Sequence, residues 1–270
     1  MEPETLKRQS VDGTGMRREF SMDRRAYLKT VGAVGASAAV AGCQGGNDTI
    51  TPGTASGFPP FEYTENGELV GFDVELAETV IEEAGYEVGE WVDIEFASLT
   101  PSLTEGDIDL IAAAMTINDE RDRQIDFSDP YWESNQAVLV QEGGDFQPES
   151  TDDLEGMRVG AQSGTTGADQ VEGLIEDGTV SESDYRQYDN YTLAVQDLEN
   201  GNIDAIVIDI PVARNFAESR SVEVAFEIET GEEFGLGMRE DDDRLSDVNS
   251  ALNEMQEDGT YEDLVSEWFE

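Results

Sequence analysis

From Thr51 onward, short apolar runs alternate with stretches of helical period, and this alternation leaves few architectures open. One unit, a helix followed by a glycine-containing turn and an Ile-Asp strand, occurs twice, as "LTEGDIDLIAAAM" and "LENGNIDAIVIDI". Strands alternating with helices predict an α/β fold, because the helices cover the faces of the sheet that the strands build. In "FDVELAETVIEEAG" the residues Val74, Ala77, Val80, Ile81 and Ala84 share one helical face and Gly85 ends it. "DIEFA" then reads as a strand, "TPSLTEGD" as a short helix and "IDLIAAAM" as a buried strand. A second set follows: strand "RVGAQ", helix "ADQVEGLIEDG", strand "YRQYD", helix "LAVQDLENG" and strand "IDAIVID". Two similar lobes are therefore expected. The closing segment reads as two helices broken at Asp258-Gly259, with Leu245, Val248, Leu252, Met255, Leu264, Trp268 and Phe269 as core.

Charge narrows the partners. The chain has 62 Asp plus Glu, 15 Lys plus Arg and no histidine, for a formal net charge of -47. A nucleic-acid partner is excluded, since it requires a cationic footprint. Recurrent clusters of Val, Ile, Leu, Phe, Tyr and Trp exclude disorder. The folded chain is self-repelling, and at roughly 1 M salt a Debye length of about 3 Å screens that repulsion, so adaptation to very high ionic strength is expected. Cys43 is the only cysteine, so no internal disulfide or cysteine-cluster zinc site forms, and imidazole-based triads are excluded. The acidic run "EDDDR" (240–244) lacks the spaced ligands and central glycine of a calcium loop. No metal or cofactor is expected.

The N-terminus carries an address. "MDRRAYLKTVGAVGASAAVAGC" has paired Arg24 and Arg25, a small-residue apolar run and Cys43 at its end. The run is shorter than the roughly 20 residues a bilayer span requires. It resembles a twin-arginine export signal, and "VAGC" resembles a lipobox, after whose cleavage Cys43 carries lipid. An ordinary buried helix with a stray cysteine is the alternative. On the first reading residues 1–43 are the signal, translation begins at Met1, Met16 or Met22, and the protein sits on the outer face of the cell membrane.

Past Lys29 every cation is an arginine, and two of them stand in "AAMTINDERDRQIDF" (113–127). Composition alone makes Arg121 and Arg123 surface ion-pair residues, since Asp119, Glu120 and Asp122 flank them. A wider pattern changes that reading for Arg121. "GFPPFEY", "GELVGFDVELAETV", "SLTEGDIDLIAAAMTINDER", "IDFSDPYWES", "VGAQSGTTG", "LENGNIDAIVID" and "DGTYEDLVSEWF" occur in that order. Together, over nearly all of residues 50–269, the sequence resembles the family 3 extracellular solute-binding proteins, the polar amino-acid receptors of ABC importers.

That resemblance implies an α/β fold of the two-lobed periplasmic-binding-protein type II, with two hinge strands and a ligand cleft between the lobes. One lobe would join residues 44–134 to 234–270 and the other would hold 135–233. A free amino acid brings a carboxylate and an ammonium, each needing a charged partner once the cleft shuts. By the resemblance Arg121 is the carboxylate partner, with Thr116 and the Ala114 backbone N–H as further donors, and a guanidinium suits the task because it binds a carboxylate bidentately. Asp209, at the end of "IDAIVID", is the ammonium partner; locally it is equally a helix N-cap before Pro211. The loop "QSGTTG" (162–167) nominates Gln162, Thr165 and Thr166 as contacts at a helix N-terminus, or else is a plain capped turn. Phe58 and Phe96 align with aromatics that pack on the ligand side chain, although by composition both are core.

Departures bear on specificity. Many relatives carry an acid where Ala55 stands, so a cationic ligand side chain lacks one usual partner, and Gln162 stands where some have lysine. A neutral polar ligand such as glutamine is the resulting expectation. The protein is expected to act as a monomer that delivers ligand to an ABC permease and performs no chemistry. A cyclohexadienyl dehydratase-like enzyme on the same fold, or a ligand sensor for a signalling partner, is the alternative.

Overall fold

The computed structural model describes residues 49–270; Arg24, Arg25, Cys43 and the three candidate start methionines lie outside them. The chain runs β1 (Thr49–Ile50), β2 (Pro52–Thr54), β3 (Tyr63–Glu65), β4 (Glu68–Val70), α1 (Phe72–Glu83), β5 (Glu87–Val88), β6 (Val92–Asp93), α2 (Phe96–Glu105), β7 (Leu110–Ile111) and β8 (Ile125–Phe127). It continues through β9 (Trp132–Gln141), β10 (Val159–Gln162), α3 (Thr166–Glu176), β11 (Tyr185–Tyr188), α4 (Tyr191–Glu199), β12 (Ala205–Asp209), α5 (Ile210–Ser219), β13 (Val222–Phe234), β14 (Gly237–Arg239), α6 (Leu245–Asp258) and α7 (Thr260–Phe269).

These elements build two five-stranded sheets, ordered β6-β2-β7-β14-β8 and β11-β10-β12-β9-β13. In each, three neighbouring strands are parallel and the rest antiparallel. The α/β alternation thus yields a mixed two-lobed fold of the periplasmic-binding-protein type. The long strands β9 and β13 pair antiparallel from Val222–Gln141 to Phe234–Trp132, with an irregularity between Ile228 and Glu232. There the N–H groups of Thr230 and Gly231 donate to Asn135 Oδ1 at 2.9 and 2.8 Å. Past this point the strands run into the first sheet's side, where Phe234 bridges Thr116 and Ile117 N–H donates to Glu233 O.

Helical period explains α1, whose buried Val74, Ala77, Val80 and Ile81 repeat every three or four residues. Two stretches depart from the sequence reading. Of "IDLIAAAM" only Leu110–Ile111 forms a strand. Of "DIEFA" only Asp93 lies in a strand, at the end of β6, and the following helix begins at Phe96 rather than Thr100. Phe96, Leu99 and Leu103 are all buried on one face of that helix, so packing places its first turn ahead of Pro101. Gly106 ends it in a left-handed conformation, φ 87°, and Gly259 separates α6 from α7 in the same way, φ 94°. Phe269, near the end of α7, stacks on Trp132 at the start of β9, with ring centroids 4.2 Å apart.

Parallel strands put their carboxyl ends on one side, the side where open α/β sheets bind ligands. Ala55 follows β2, Ala113 and Ala114 follow β7, Gln162 closes β10 and Asp209 closes β12. All five residues line a single narrow cavity between the two sheets.

Candidate functional site

The cavity is bounded by Ala55, Phe58, Glu62 and Phe96 together with Arg121, Thr116 and the strand ends just named, and from the opposite side by Gln162, Thr165, Thr166 and Asp209. Every site residue expected from the sequence in the described region is therefore brought together. What each one does is less uniform.

Arg121 is 8 % exposed, whereas Arg123, two residues on, is exposed. Its Nη1 donates to Thr116 O at 2.7 Å and its Nη2 to Gly164 O at 2.9 Å, and its guanidinium lies 5.3 Å from the centre of the Phe96 ring. No carboxylate among the described residues pairs with it. Burial lowers its pKa, against the raising influence of Asp169, Asp209 and Glu232. The bond to Gly164 crosses the cleft. Gly164 permits it: at φ +77° a side chain is strained, and a Cβ there would lie 3.2 Å from the Ala97 methyl.

Asp209 is 5 % exposed and sits at the N-terminus of α5, with Pro211 in the first turn. The expected N-cap bond is not formed, and Asp209 Oδ1 is buried without a hydrogen-bond partner. Its pKa is well above the usual carboxylate range because of burial, then the nearby Glu232, partly offset by Gln136, its own backbone and Arg121.

Two expected donors are committed elsewhere. The Ala114 N–H donates to Asp73 Oδ2 at 2.6 Å, an acceptor buried at the start of α1. Ala114 holds φ +45°, a conformation that places a non-glycine residue at a cost. Thr116 Oγ1 donates to Glu232 Oε2 at 2.9 Å, and Thr166 Oγ1 lies 2.9 Å from the same hydroxyl. With its one proton directed at Glu232, Thr116 receives the Thr166 proton and turns a lone pair, rather than a proton, toward other partners. Thr165 caps α3, accepting from Ala168 N–H at 3.3 Å while donating to Gln162 O at 2.8 Å. The capped-turn reading therefore describes Thr165, while Thr166 meets Thr116 across the cleft. Phe58 packs 5.6 Å from the Tyr191 ring, and Phe96, on a helix rather than a strand, lies beneath the guanidinium.

Sequence reasoning missed three acids. Glu62 is 1 % exposed, lines the cavity, and leaves Oε2 buried without a partner. Its place in "GFPPFEY", the one charge in an aromatic and proline-rich turn, was the available signal. Asp73 is fully buried, accepts from Ala114 and from the Tyr131 hydroxyl at 2.7 Å, and is pushed up to about 6 by burial despite those bonds. Glu232 gathers protons from Thr116, Gln136 and Thr230 on the hinge strand β13. The sequence expectation about a cationic ligand side chain considered Ala55; Glu62 lines the same cavity.

Residues 50–270 match the bacterial extracellular solute-binding proteins, family 3. The chain is 33 % identical over 232 residues to the arginine-binding extracellular protein ArtP of Bacillus subtilis (strain 168), covering 84 % of this chain and 89 % of that one. A solved structure of an ancestral arginine-binding protein bound to arginine is 38 % identical with a TM-score of 0.77, covering 83 % of this chain and 99 % of that one. Its complex with glutamine matches at 38 % identity and a TM-score of 0.76, covering 82 % and 98 %.

Proposed function

Since the chain belongs to the bacterial extracellular solute-binding proteins of family 3, we propose that it is an extracytoplasmic receptor that closes two lobes around a polar amino acid and delivers it to an ABC importer. The observation that carries this reading is a buried guanidinium and a buried carboxyl on opposite walls of one cavity, neither satisfied by the other. Arg121 has only carbonyl oxygens to donate to, and Asp209 Oδ1 has no partner. An α-carboxylate answers the first and an α-ammonium the second. A zwitterion then bridges the walls and favours the closed arrangement, which is how binding becomes a shape that a permease reads. Entry of the carboxylate replaces the Arg121 to Gly164 bond with a charge-assisted, bidentate one.

Residues 44–134 with 234–270, and 135–233, are the proposed lobes, consistent with the two passages of chain through β9 and β13. Export through Arg24 and Arg25, lipid attachment at Cys43, a monomeric receptor and a setting of high ionic strength belong to the same proposal, supported by the N-terminal pattern and a net charge of -47. An enzyme on this fold is a second reading, favoured by one observation, a cleft acid whose pKa is raised and which can donate a proton, Glu62.

A thermal-shift screen of the common amino acids in molar KCl tests the receptor reading. A bound amino acid at about 100 times its dissociation constant adds roughly 2.7 kcal/mol of stability. Asp209→Asn should weaken that response while leaving the unliganded melting temperature in place; an unchanged response removes Asp209 from the site. Consumption of a cyclohexadienyl substrate such as prephenate or arogenate would instead establish the enzyme.

A further inference from the structure

Thr116, beside Arg121, and Asp209, on the facing wall, are joined by a side chain that does not itself line the cavity. Glu232, on β13, is 5 % exposed. Its Oε2 accepts the Thr116 hydroxyl at 2.9 Å, and its Oε1 accepts Gln136 Nε2 at 2.9 Å and the Thr230 hydroxyl at 2.6 Å. Gln136 stands on β9, between β12 and β13, opposite Asp209 in the register, and its side chain also hydrogen-bonds the Asp209 carboxyl. Giving its hydrogens to two acids leaves Gln136 Oε1 buried without a partner, so the acids set the orientation of this amide.

The backbone fixes Glu232 against both partners. Thr116 bridges Phe234, two residues past Glu232, and the Ile117 N–H donates to Glu233 O at 2.8 Å. On the other side Asn135 Oδ1 accepts the N–H groups of Thr230 and Gly231. A carboxylate that receives three donors only accepts, and so it settles where the neighbouring protons go. Thr116 has one proton and gives it to Glu232. The Thr166 hydroxyl, 2.9 Å from Thr116 Oγ1, is therefore the donor of that pair. In the order Thr166 to Thr116 to Glu232, the Thr166 proton can turn to an incoming carboxylate without uncovering a buried acid. Turning the Thr116 proton instead would take its donor from Glu232 Oε2, and a buried acceptor left unmatched is costly.

We infer that Glu232 is a positioning residue for amino-acid binding: it directs the hydroxyl order so that Thr166 rather than Thr116 donates to the ligand carboxylate, and through Gln136 it sets Asp209 for the ammonium. The inference rests on the receptor reading above and deepens it. A carboxylate is then held by Arg121 from one wall and by Thr166 from the other, so this pole of the ligand engages both walls by itself and favours the closed arrangement. Glutamine in place of Glu232 keeps one oxygen for Gln136 and Thr230 but sets an amide N–H against Thr116 Oγ1. The Thr116 proton then turns to the cavity, and the two threonines exchange roles.

Titration calorimetry in molar KCl, with arginine or glutamine, whichever raises the melting temperature more, reads this exchange through a double-mutant cycle. Thr166→Val should weaken binding about tenfold or more in the otherwise unaltered chain, as the loss of a hydrogen bond to a charged group does, and by less than about threefold on the Glu232→Gln background. Thr116→Val should cost less than Thr166→Val in the unaltered chain and more on that background. A Glu232 that only supports the fold would give the same Thr166→Val loss in both backgrounds, and that result overturns the inference. So does a larger loss from Thr116→Val than from Thr166→Val in the unaltered chain. Should Glu232→Gln not melt cooperatively, the ranking of the two threonine variants decides alone. Binding of no common amino acid overturns the receptor reading and this inference with it, whereas amino-acid binding without the exchange overturns only the latter.

Discussion

Two clusters of arginine and acid in this molecule are made of the same chemistry and finished in opposite ways. Near β14, Arg239 and Arg244 both reach Asp109, at 2.7 and 3.0 Å, and both reach Asp242, at 3.5 and 2.7 Å. Asp109 also accepts the Thr51 N–H, and although burial raises its pKa, the two arginines and that N–H outweigh burial and lower it. In the cleft, Arg121 is more deeply buried than either and pairs with no acid, while Glu62, Asp73 and Asp209 are buried with their pKa values raised. The first group closes its own electrostatics, which is what stability asks of buried charge. The second leaves a guanidinium without an acid and carboxyls of raised pKa on facing walls, which costs stability and makes sense where a ligand completes the set.

The comparison breaks most decisively at Arg121. Arg121→Ala should cost about 2 to 5 kcal/mol of amino-acid binding, because it strips a buried carboxylate of its partner. The thermal shift produced by ligand should disappear while the unliganded protein still melts cooperatively. Arg244→Ala should do the reverse, leaving the ligand shift intact and lowering unliganded stability by about 1 to 2 kcal/mol, since Arg239 and the Thr51 N–H remain for Asp109. If the two variants exchange these phenotypes, the division between a structural and a binding arginine is wrong.

Acid titration sharpens the same contrast. Asp73 goes from an ordinary 3.8 to about 6 in the fold, so between those values the native state holds more protons than the unfolded chain and stability rises as pH falls. A shift of that size corresponds to about 3 kcal/mol. Asp109 and Asp242 are lowered, and the stability they contribute is present above the unfolded pKa and lost below it. Stability in molar KCl should therefore climb as pH falls toward 4, Glu62 and Asp209 adding to Asp73 in the same direction, and fall beyond. Asp73→Asn should reduce the climb between about pH 6 and pH 4, measured by denaturant midpoints, and leave the acid-side fall. A slope unaffected by the substitution would show that Asp73 does not titrate as its burial requires.

How much of this was legible before the structure follows from what each signal is made of. The units from β10 to β12 were readable because period and glycine turns are local, and so was the break at Gly259. The start of α2 was not, because Thr100-Pro101 mimics a helix start and only the burial of Phe96 and Leu99 against the first lobe's core reveals the earlier turn. The strand β13, whose exposed Glu227 and Glu229 alternate with half-buried Phe226, Ile228 and Thr230, is defined by its pairing with β9. In the site, Arg121 and Asp209 were placed through a family pattern rather than through composition. Glu62 escaped because one more acid carries no local signal in a chain with 62 of them. The commitment of the Ala114 N–H was invisible for another reason: its acceptor, Asp73, lies 41 residues away.

The smallest expected effect is the most specific check on that reading. Arg121 and Arg123 share the acidic surroundings Asp119, Glu120 and Asp122, so neither local charge nor residue type separates them. Burial does, because Arg121 turns into the cleft while Arg123 stays exposed, where a guanidinium contributes about 0 to 1 kcal/mol through screened pairs. Arg123→Ala should accordingly leave ligand-induced stabilisation unchanged and move the melting temperature only within error in molar KCl. A loss of ligand response there that matches the Arg121 variant would mean that the segment acts as a charged patch, and that depth in the cleft is not what selects the arginine.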